Sequence, residues 1–450
     1  MRILLISPNT LREPYPVYPL GLDYVAGSVA ARHQVRIADL NTMDLADLAR
    51  LVAEFSPTLI GISCRNIDNT EAATSRSFIR EYQQLVSWLR ARSRALVVCG
   101  GAGFTIMPRA ILAAVGADLG LVGEGERFGL LADALDQEQD PCLIPGVITP
   151  DSPAAPPLPP PWTGPQRRDF RDDAAHKRFY LEHGGMLSLQ SKRGCSFRCI
   201  YCPYPRIEGR QHRLIDPEEV ARMALKLEAA GASYFFITDS AFNSDVPHSL
   251  AVARAFTAAG VSIPWGAFFA PVKLPPEYFS TMAEAGLRHV EFGTEALADP
   301  MLESYRKPFR VREVFTAHRQ ALEAGLHTAH YLLLGGPGES RATVSATLEQ
   351  MERLTRTVLF CFIGIRVYPG TGLYRIALEQ GRIGPDTDLL KPVFYQAEGI
   401  DQAGIEAMVR ERAGQRINWV VGSGGSGGAD TVRKLHQRGY SGPLWEFLIR

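Results

Sequence analysis

Three cysteines lie close together in the segment "SKRGCSFRCIYCPYP", residues 191–205. Three residues separate Cys195 from Cys199, and two residues separate Cys199 from Cys202. Thiolates are ligands for zinc and for iron–sulfur clusters, and a thiol can also be an ordinary small side chain of a core. The spacing therefore allows three interpretations: a zinc site, a cluster site or a group of buried thiols.

The residues around the cysteines favour the cluster. A tetrahedral zinc ion needs a fourth ligand, and the nearest histidines, His183 and His212, do not complete a familiar zinc spacing. Three cysteines on one loop can hold three irons of a [4Fe–4S] cluster and leave the fourth iron open to a substrate or cofactor. The loop comes directly after the apolar run "MLSLQS". We therefore expect it at the carboxyl end of a strand, where parallel sheets bind ligands.

The composition of the chain is that of an ordinary globular protein. Of its 450 residues, 46% are hydrophobic and 21% are charged, and Lys plus Arg equals Asp plus Glu at 48 each. This balance argues against a nucleic-acid binder, and no apolar run approaches the roughly 18 residues of a membrane span. Seven cysteines are too few for a disulfide scaffold, and "MRILLISPNT" is typical of a first strand rather than a signal peptide. We therefore expect a cytoplasmic protein that binds neither nucleic acid nor membrane.

Strand and helix patterns divide the chain into four regions. Residues 1–148 alternate between strands and helices, which predicts a parallel sheet covered by helices on both faces. Residues 149–184 contain "PDSPAAPPLPPPWTGPQ", whose prolines predict a semi-rigid linker. Residues 185–380 contain six strand–helix repeats, which predict a partial (β/α)6 barrel of the TIM type. Residues 381–450 are mixed in pattern and are predicted to form a substrate or lid region.

The cysteine motif resembles the signature of the radical S-adenosylmethionine (radical SAM) superfamily. Four later segments resemble signatures of the same family, in the same order: "FFITDSAFNSD" (235–245), "VEFGTEALADPMLESYRKPF" (290–309), "YLLLGGPGES" (331–340) and "RVYPGTGLY" (366–374). The resemblance implies that Cys195, Cys199 and Cys202 bind a [4Fe–4S] cluster, whose open iron chelates SAM and whose electron cleaves it. It also implies a small-molecule substrate and a reducing partner such as flavodoxin or ferredoxin.

The resemblance also leads us to assign residues at the mouth of the barrel to SAM. They are Tyr201, Thr238, Asp239, Ser240, Glu295, Gly335, Gly336 and Arg366. We expect the tyrosine near the adenine, the second-strand residues as acceptors for the amino group, and the glutamate beside the ribose hydroxyls. The arginine would clamp the carboxylate, and the glycines would let the backbone approach the cofactor. Local roles are the alternative: Asp239 could cap a helix, Glu295 could pair with Lys307, and the glycines could form a turn.

The first region resembles the N-terminal cobalamin-binding domain, Rossmann-like and flavodoxin-like, of one branch of the superfamily. The resembling segments are "YPLGLDYVAGSVA", "LVVCGGAGFTIMPRAIL" and "ADLGLVGEGE". The residues assigned to cobalamin are Ser63, Arg65, Gly100, Gly101, Gly123 and Glu124. The chain lacks the Asp-x-His-x-x-Gly motif of domains that bind cobalt through histidine. Arg65 would then approach the lower face of the corrin or, alternatively, pair with Asp68 or Asp118 in a domain that holds no cobalamin.

These resemblances imply a radical SAM enzyme of the class B methyltransferase type. Its reaction would be cobalamin-dependent methyl transfer to an unactivated carbon of a small molecule or natural product. One alternative is a radical SAM dehydratase, epimerase or cyclase, acting for example on an aminoglycoside or sugar, that keeps the first domain without cobalamin. Another is a non-catalytic iron–sulfur protein. No catalytic acid or base is named from the sequence.

The end of the chain carries a glycine pattern of its own. Gly422, Gly424 and Gly427 form G-x-G-x-x-G, but too few residues follow for the rest of a nucleotide-binding unit. We therefore expect a flexible loop or lid over the active site. The final segment "YSGPLWEFLIR" is predicted to dock on the core with Trp445 as its anchor.

Overall fold

A computed structural model describes residues 1–12, 15–153, 156–168, 175–422 and 425–449, with the backbone alone for residues 175 and 425–430. Within these ranges the chain forms two large sheets, one for each predicted α/β region. No helix among the described residues combines the length and the apolar character needed to span a bilayer.

The first domain is a six-stranded sheet with helices between its strands. The strands are β1 (Arg2–Ser7), β2 (Gln34–Asp39), β3 (Leu59–Ser63), β4 (Leu96–Gly100), β5 (Leu119–Leu121) and β6 (Val147–Ile148). The helices are α1 (Leu20–Val29), α2 (Leu45–Phe55), α3 (Ile79–Arg90), α4 (Ala102–Ile106), α5 (Pro108–Val115) and α6 (Arg127–Asp136), and a 3₁₀ turn covers Pro141–Leu143. The inner strands β1 and β3 are short apolar runs, as expected for strands buried on both faces.

The strand order of this sheet is β2-β1-β3-β4-β5-β6. The first five strands are parallel, and their order is that of flavodoxin-like folds, which confirms the predicted class. The prediction of an all-parallel sheet is wrong for β6, because it pairs antiparallel with β5. The order reverses between β1 and β3, and ligands of such folds bind at the carboxyl ends of the strands beside that reversal.

The predicted linker is packed rather than free. Pro159 lies against Gly123, so that a Cβ at this glycine would come within 3.0 Å of the proline ring. Residues 175–184 form a helix, α7 (Ala175–Gly184), in which the Tyr180 hydroxyl donates to Asp39 over 2.7 Å. Residues 154–155 and 169–174 of the linker lie outside the described residues. The prolines correctly predicted that the first part of the linker has no helix or strand. They gave no indication that this part contacts the first domain.

The second domain contains eleven strands. They are β7 (Met186–Leu189), β8 (Lys192–Arg193), β9 (Arg213–Leu214), β10 (Tyr234–Ile237), β11 (Trp265–Phe269), β12 (Leu287–Glu295), β13 (His327–Leu334), β14 (Thr357–Ile363), β15 (Ile365–Arg366), β16 (Phe394–Tyr395) and β17 (Trp419–Val421). Strands β8 with β9 and β15 with β16 form two small antiparallel ribbons. The other seven form one parallel sheet in the order β17-β14-β13-β12-β11-β10-β7.

Ten further helices accompany these strands. They are α8 (Tyr204–Ile207), α9 (Pro217–Ala229), α10 (Val246–Ala259), α11 (Tyr278–Glu284), α12 (Asp299–Ser304), α13 (Val311–Glu323), α14 (Arg341–Met351), α15 (Gly372–Glu379), α16 (Gln402–Ala413) and α17 (Gly425–Gln437), with 3₁₀ turns at Phe242–Ser244 and Trp445–Leu448. Asp216 accepts hydrogen bonds from two backbone amides of α9 and is the N-cap of this helix. Large apolar clusters lie between the sheet and these helices.

The tail adds a strand to the barrel sheet, and its role as a substrate or lid region stays a prediction. Strand β17 adds a seventh parallel strand beside β14, and α17 packs on α7. Of the glycine pattern, Gly424 lies outside the described residues, and Gly427 lies in α17. Trp445 is buried, packs with Ala329 and Val358, and donates from Nε1 to the Glu291 carboxylate over 3.0 Å. The predicted anchoring role of Trp445 is confirmed.

Truncation of this anchor tests how strongly the tail holds the barrel. Trp445→Ala removes a buried indole and one donor of Glu291, so we expect the free energy of unfolding to fall by about 3–5 kcal/mol. The matched control is Phe447→Ala, because Phe447 lies two residues away and is 48% exposed. Urea unfolding of both variants measures the difference, and equal losses would show that Trp445 is not the anchor.

Candidate active site

The cysteine loop begins where β8 ends. Gly194 connects β8 to Cys195 with φ of +87°, and a Cβ there would lie 2.1 Å from the Gln211 carbonyl oxygen, so that no other residue fits. The Cys195 amide donates to the Gly209 carbonyl over 3.1 Å. The first cysteine is therefore fixed by backbone contacts, at the carboxyl end of the first barrel strand as predicted.

The three thiols are buried or half-buried and close enough to influence one another. Burial raises the pKa of Cys202 to about 12 and also raises the pKa of Cys195, and the neighbouring thiols add to both shifts. Without a cluster, Cys195 and Cys202 are therefore protonated at neutral pH, and the positive charge of bound iron would hold them as thiolates. This donor set fits a [4Fe–4S] cluster.

The two nearest histidines are engaged elsewhere. His183 bonds the Phe179 carbonyl, and His212 contacts Ser244 and Asp245. In the described part of the chain, no three His, Cys, Asp or Glu side chains converge on a position for a single metal ion. The zinc interpretation therefore gains no ligand from the structure.

A buried network fixes the segment just before the cysteines. Asp239 accepts from the Ser191 amide over 2.9 Å and from Lys192 Nζ over 2.9 Å, and this lysine also donates to the Ala241 and Phe242 carbonyls. Asp239 and Lys192 are each 1% exposed. Asp239 was predicted to receive the amino group of SAM, with a helix cap as its alternative. Its placement contradicts both, because its oxygens already serve the motif segment.

Glu295 joins the fourth large strand of the barrel to the cysteine loop. Its carboxylate accepts from the Tyr201 hydroxyl over 2.7 Å and from Lys307 Nζ over 3.0 Å. Burial alone would lower the pKa of Lys307, but the charge and hydrogen bond of Glu295 together with the nearby Cys199 and Cys202 outweigh it, and the pKa is raised. The backbone of Glu295 has φ of +63°, a strained conformation that clusters at functional sites. The sequence allowed Glu295 to pair with Lys307 as an alternative to binding SAM, and the structure contains this pair. The paired Glu295 also holds Tyr201 in place through its hydrogen bond to the tyrosine hydroxyl.

The remaining residues assigned to SAM differ in their surroundings. Ser240 Oγ is buried and has no hydrogen-bond partner, so a polar cofactor group would satisfy it. Thr238 donates to the Leu189 carbonyl and faces the cleft described below. Gly335 has φ of +97° and donates its amide to Glu339, whereas a Cβ on Gly336 would overlap the Tyr305 ring at 2.2 Å. Gly336 therefore makes room for a core tyrosine. This packing is sufficient to explain why a glycine stands here, without a close approach of the backbone to the cofactor.

The placement of Arg366 contradicts its predicted role as a carboxylate clamp. Its Nε donates to Asp68 over 2.8 Å, Nη2 donates to the Leu389 carbonyl, and Nη1 donates to two further carbonyls. Four of its five donors are thus used, and the side chain is 3% exposed. The signature "RVYPGTGLY" correctly located the residue, but the sequence did not reveal that its partner comes from the first domain.

A cleft lies between the two domains, at the carboxyl ends of both sheets. All six residues assigned to cobalamin line it, from Ser63 at the end of β3 to Glu124 after β5. From the second domain it is lined by Gln190, Arg193 and Tyr204, among others. The space amounts to about 1320 Å³, including the solvent at its mouth. Gly101, at its wall, has φ of +103°, and a Cβ there would press on Cys64 at 3.2 Å.

The described lining of this cleft contains no histidine. Arg65 lines it and donates to the Val17 carbonyl over 3.1 Å. The partners suggested as its alternative are taken, because Asp68 pairs with Arg366 and Asp118 pairs with Arg90. The cleft therefore fits a flat cofactor that takes no histidine ligand from the protein. The guanidinium of Arg65 forms part of the wall of the cleft.

The sequence analysis missed the residues that hold the cleft together. Arg193, two residues before Cys195, donates to Glu124 over 3.0 Å and to Glu126 over 2.6 Å. Arg213, on the paired strand β9, donates to the same Glu124 over 2.6 Å. These side chains are nearly all buried, and the only sequence signal for them is charge at the ends of predicted strands.

Comparison with known families agrees with this architecture. The model of the radical SAM superfamily matches residues 189–351, and the model of the B12 binding domain matches residues 9–129. A tryptophan 2-C-methyltransferase of Streptomyces laurentii is 25% identical, and the match covers 84% of this chain and 74% of that protein.

Two solved structures show the same fold over nearly the whole chain. Both are of the radical SAM methyltransferase TsrM from Kitasatospora setae, one with tryptophan and a SAM analogue and one with cobalamin and a [4Fe–4S] cluster. Their TM-scores are 0.87 and 0.86 at 23% and 22% identity, and each match covers 99% of this chain and 97% of the other.

The fold, the cysteine loop and the interdomain cleft together define a radical SAM enzyme with an N-terminal B12-binding-type domain. The chain combines a B12-binding domain, matched over residues 9–129, with a radical SAM domain, matched over residues 189–351.

Removal of one thiol tests the cluster assignment. Because each cysteine would hold one iron, we expect Cys199→Ala to contain clearly less than the full complement of about four irons per chain after anaerobic reconstitution. The control is Cys142→Ala, since Cys142 is exposed and lies in the first domain. Iron analysis measures the result, and an unchanged iron content in Cys199→Ala would refute the assignment.

The new placement of Arg366 gives a second prediction. Arg366→Leu leaves Asp68 buried without its cation, which should lower the free energy of unfolding by about 3–5 kcal/mol. Arg375→Leu is the control, because Arg375 is an exposed arginine nearby on α15. Denaturant titrations compare the two variants. Unchanged stability together with weakened SAM binding would instead support the carboxylate clamp.

Proposed function

We propose that this protein is a cobalamin-dependent radical SAM methyltransferase that transfers a methyl group to an unactivated carbon of a small molecule. The observation that carries the proposal is the interdomain cleft, which all six residues assigned to cobalamin line and which also reaches the strand that leads into the cysteine loop. When bound, cobalamin supplies a carrier for the methyl group, and the cluster with SAM supplies the radical or reducing chemistry. A low-potential reductant such as flavodoxin or ferredoxin is part of the proposal.

The side chains of the chain would hold these groups. Cys195, Cys199 and Cys202 would bind three irons as thiolates. Tyr201, fixed by Glu295, would present its ring beside the adenine of SAM. Burial and the Glu295 charge raise the pKa of Tyr201 well above its usual value, so this hydroxyl stays protonated and donates.

Two features of the first domain, together with the relatives, support the choice of cobalamin. The glycines at 100, 101 and 123 leave backbone exposed to the cleft, where a flat ring or its tail can approach closely. Arg65 lies two residues after β3 in the wall of the cleft, where it would face cobalamin without coordinating its cobalt. The relatives reported above, at similar length, are named as methyltransferases.

A cobalamin titration of the anaerobically reconstituted protein tests the proposal. We expect one-to-one binding in the visible spectrum and, because the cleft lining has no histidine in its described part, no nitrogen superhyperfine splitting in electron paramagnetic resonance of the cob(II)alamin form. A clear nitrogen triplet would refute the histidine-free site. A lack of binding would refute methyl transfer through cobalamin and favour the alternative reactions, such as dehydration or epimerisation.

A further inference from the structure

Three polar side chains lie buried in the apolar layer between the barrel sheet and α13. They are Thr294 on β12, His330 on β13 and His318 on α13. Thr294 and His330 are 0% exposed, and His318 is 5% exposed. A buried polar group costs free energy unless it is hydrogen-bonded, so an apolar residue would be the simpler choice at each of these positions.

The three side chains form one continuous chain of hydrogen bonds. Thr294 Oγ1 lies 2.8 Å from His330 Nδ1, and His330 Nε2 lies 3.1 Å from His318 Nδ1. His318 Nε2 lies 3.1 Å from the carbonyl oxygen of Thr355, where the chain ends. Burial lowers the pKa of His318 to about 4 and lowers the pKa of His330 well below its usual value, so both imidazoles are neutral at neutral pH.

The carbonyl at its end fixes the direction of this chain. A carbonyl oxygen only accepts, so His318 carries its proton on Nε2 and leaves Nδ1 bare. His330 then donates from Nε2 and leaves its own Nδ1 bare, and the Thr294 hydroxyl donates to that nitrogen. Thr328 Oγ1 lies 3.5 Å from His318 Nδ1, a longer contact that leaves this order unchanged. Loss of any member would leave a buried neighbour without its partner.

Thr294 is also the extra residue of a β-bulge. The residues on either side of it, Gly293 and Glu295, pair with consecutive residues of β13, so that Thr294 has no partner on that strand. Glu295 follows at once with φ of +63°. A non-glycine residue keeps such a conformation only where its surroundings fix it. The hydrogen bond from Thr294 to His330 supplies this constraint from the side of α13.

Toward the mouth of the barrel, the bulge presents Glu295 to the cysteine loop. The Glu295 carboxylate accepts from the Tyr201 hydroxyl over 2.7 Å and from Lys307 Nζ over 3.0 Å. Bulges next to active sites re-aim side chains in this way. The buried chain and the cysteine loop are therefore joined through two consecutive residues of one strand.

We propose that Thr294, His330 and His318 are positioning residues for SAM. Their hydrogen-bond chain holds the bulge of β12, and the bulge sets the Glu295 carboxylate against Tyr201 beside the cluster. The three side chains act through Glu295 and do not touch the cofactor. The inference rests on the part of the proposed function that concerns SAM and is independent of cobalamin.

Removal of one hydroxyl tests the chain. Thr294→Val keeps the shape of the side chain but loses the donor, so the SAM affinity of the reconstituted full chain should fall by about 3- to 10-fold, the effect of one lost hydrogen bond. Thr294→Ser restores the hydroxyl and should regain most of this affinity. Anaerobic calorimetric titration with SAM, before any reductant is added, measures both. Equal affinity in Thr294→Val and the parent, or no recovery in Thr294→Ser, would overturn the proposal.

The matched control is Thr357→Val. Thr357 is also 0% exposed and donates to the Thr328 carbonyl over 2.8 Å, at the end of the sheet opposite the bulge. Its loss should lower the stability in denaturant titrations much as Thr294→Val does, but it should leave the SAM affinity unchanged. An equal loss of SAM affinity in the two variants would reduce the chain to a general stabiliser of the barrel and overturn the proposal.

A double variant tests the route through Glu295. Because Thr294 acts through that carboxylate, adding Thr294→Val to Glu295→Ala should weaken SAM binding little further. An undiminished further loss would contradict the proposal.

Nitrogen NMR of the histidine-labelled parent protein tests the chain without a substitution. His318 and His330 should both be neutral with the proton on Nε2, and a proton on Nδ1 of either ring would break the chain and overturn the proposal. A cobalamin titration of the same samples separates the two hypotheses. Absent cobalamin binding together with the expected changes in SAM affinity would defeat methyl transfer through cobalamin alone.

Discussion

The site depends on buried ion pairs that cross the interface of the two domains. Arg193 and Arg213 meet Glu124, and Arg366 meets Asp68, all with little exposure to solvent. Desolvation offsets much of the Coulombic gain of such pairs, so they add little stability, but a missing partner is costly. Their effect is therefore on geometry: the carboxyl ends of two parallel sheets face one cleft, because other arrangements would leave buried charges unpaired.

One feature of the barrel stores free energy at the site. Glu295 holds a non-glycine residue at positive φ, which costs on the order of 1–3 kcal/mol. The anchored tail and the packed linker help to stabilise the barrel in which this cost is tolerated.

Local patterns made the architecture predictable. The alternating apolar runs correctly indicated the six barrel strands from β7 to β14 and the strands of the first domain, because each strand of a parallel sheet is apolar along its length. The cysteine spacing located its loop, since that signal is contained in eight residues. The positions assigned to cobalamin also fell on one cleft, because loops at the carboxyl ends of parallel strands converge.

Partners distant in sequence were not predictable. Arg366 and Asp68 are 298 residues apart, and the sequence around either residue does not indicate that the other is its partner. Asp239 carries the residue type expected at a cofactor site, yet it serves Lys192. The packing of the linker and the seventh barrel strand were not predicted for the same reason. A proline-rich or short apolar segment does not indicate which surface it contacts.

The shared carboxylate of Glu124 also limits how such enzymes can be recombined. One side chain of the first domain contacts arginines on two strands that frame the cysteine loop, β8 and β9. A chimera that joins this first domain to the barrel of a relative would need to carry the 123–126 turn and the 190–213 segment together. Each domain has its own sheet, but at this junction the two would have to be exchanged as one unit.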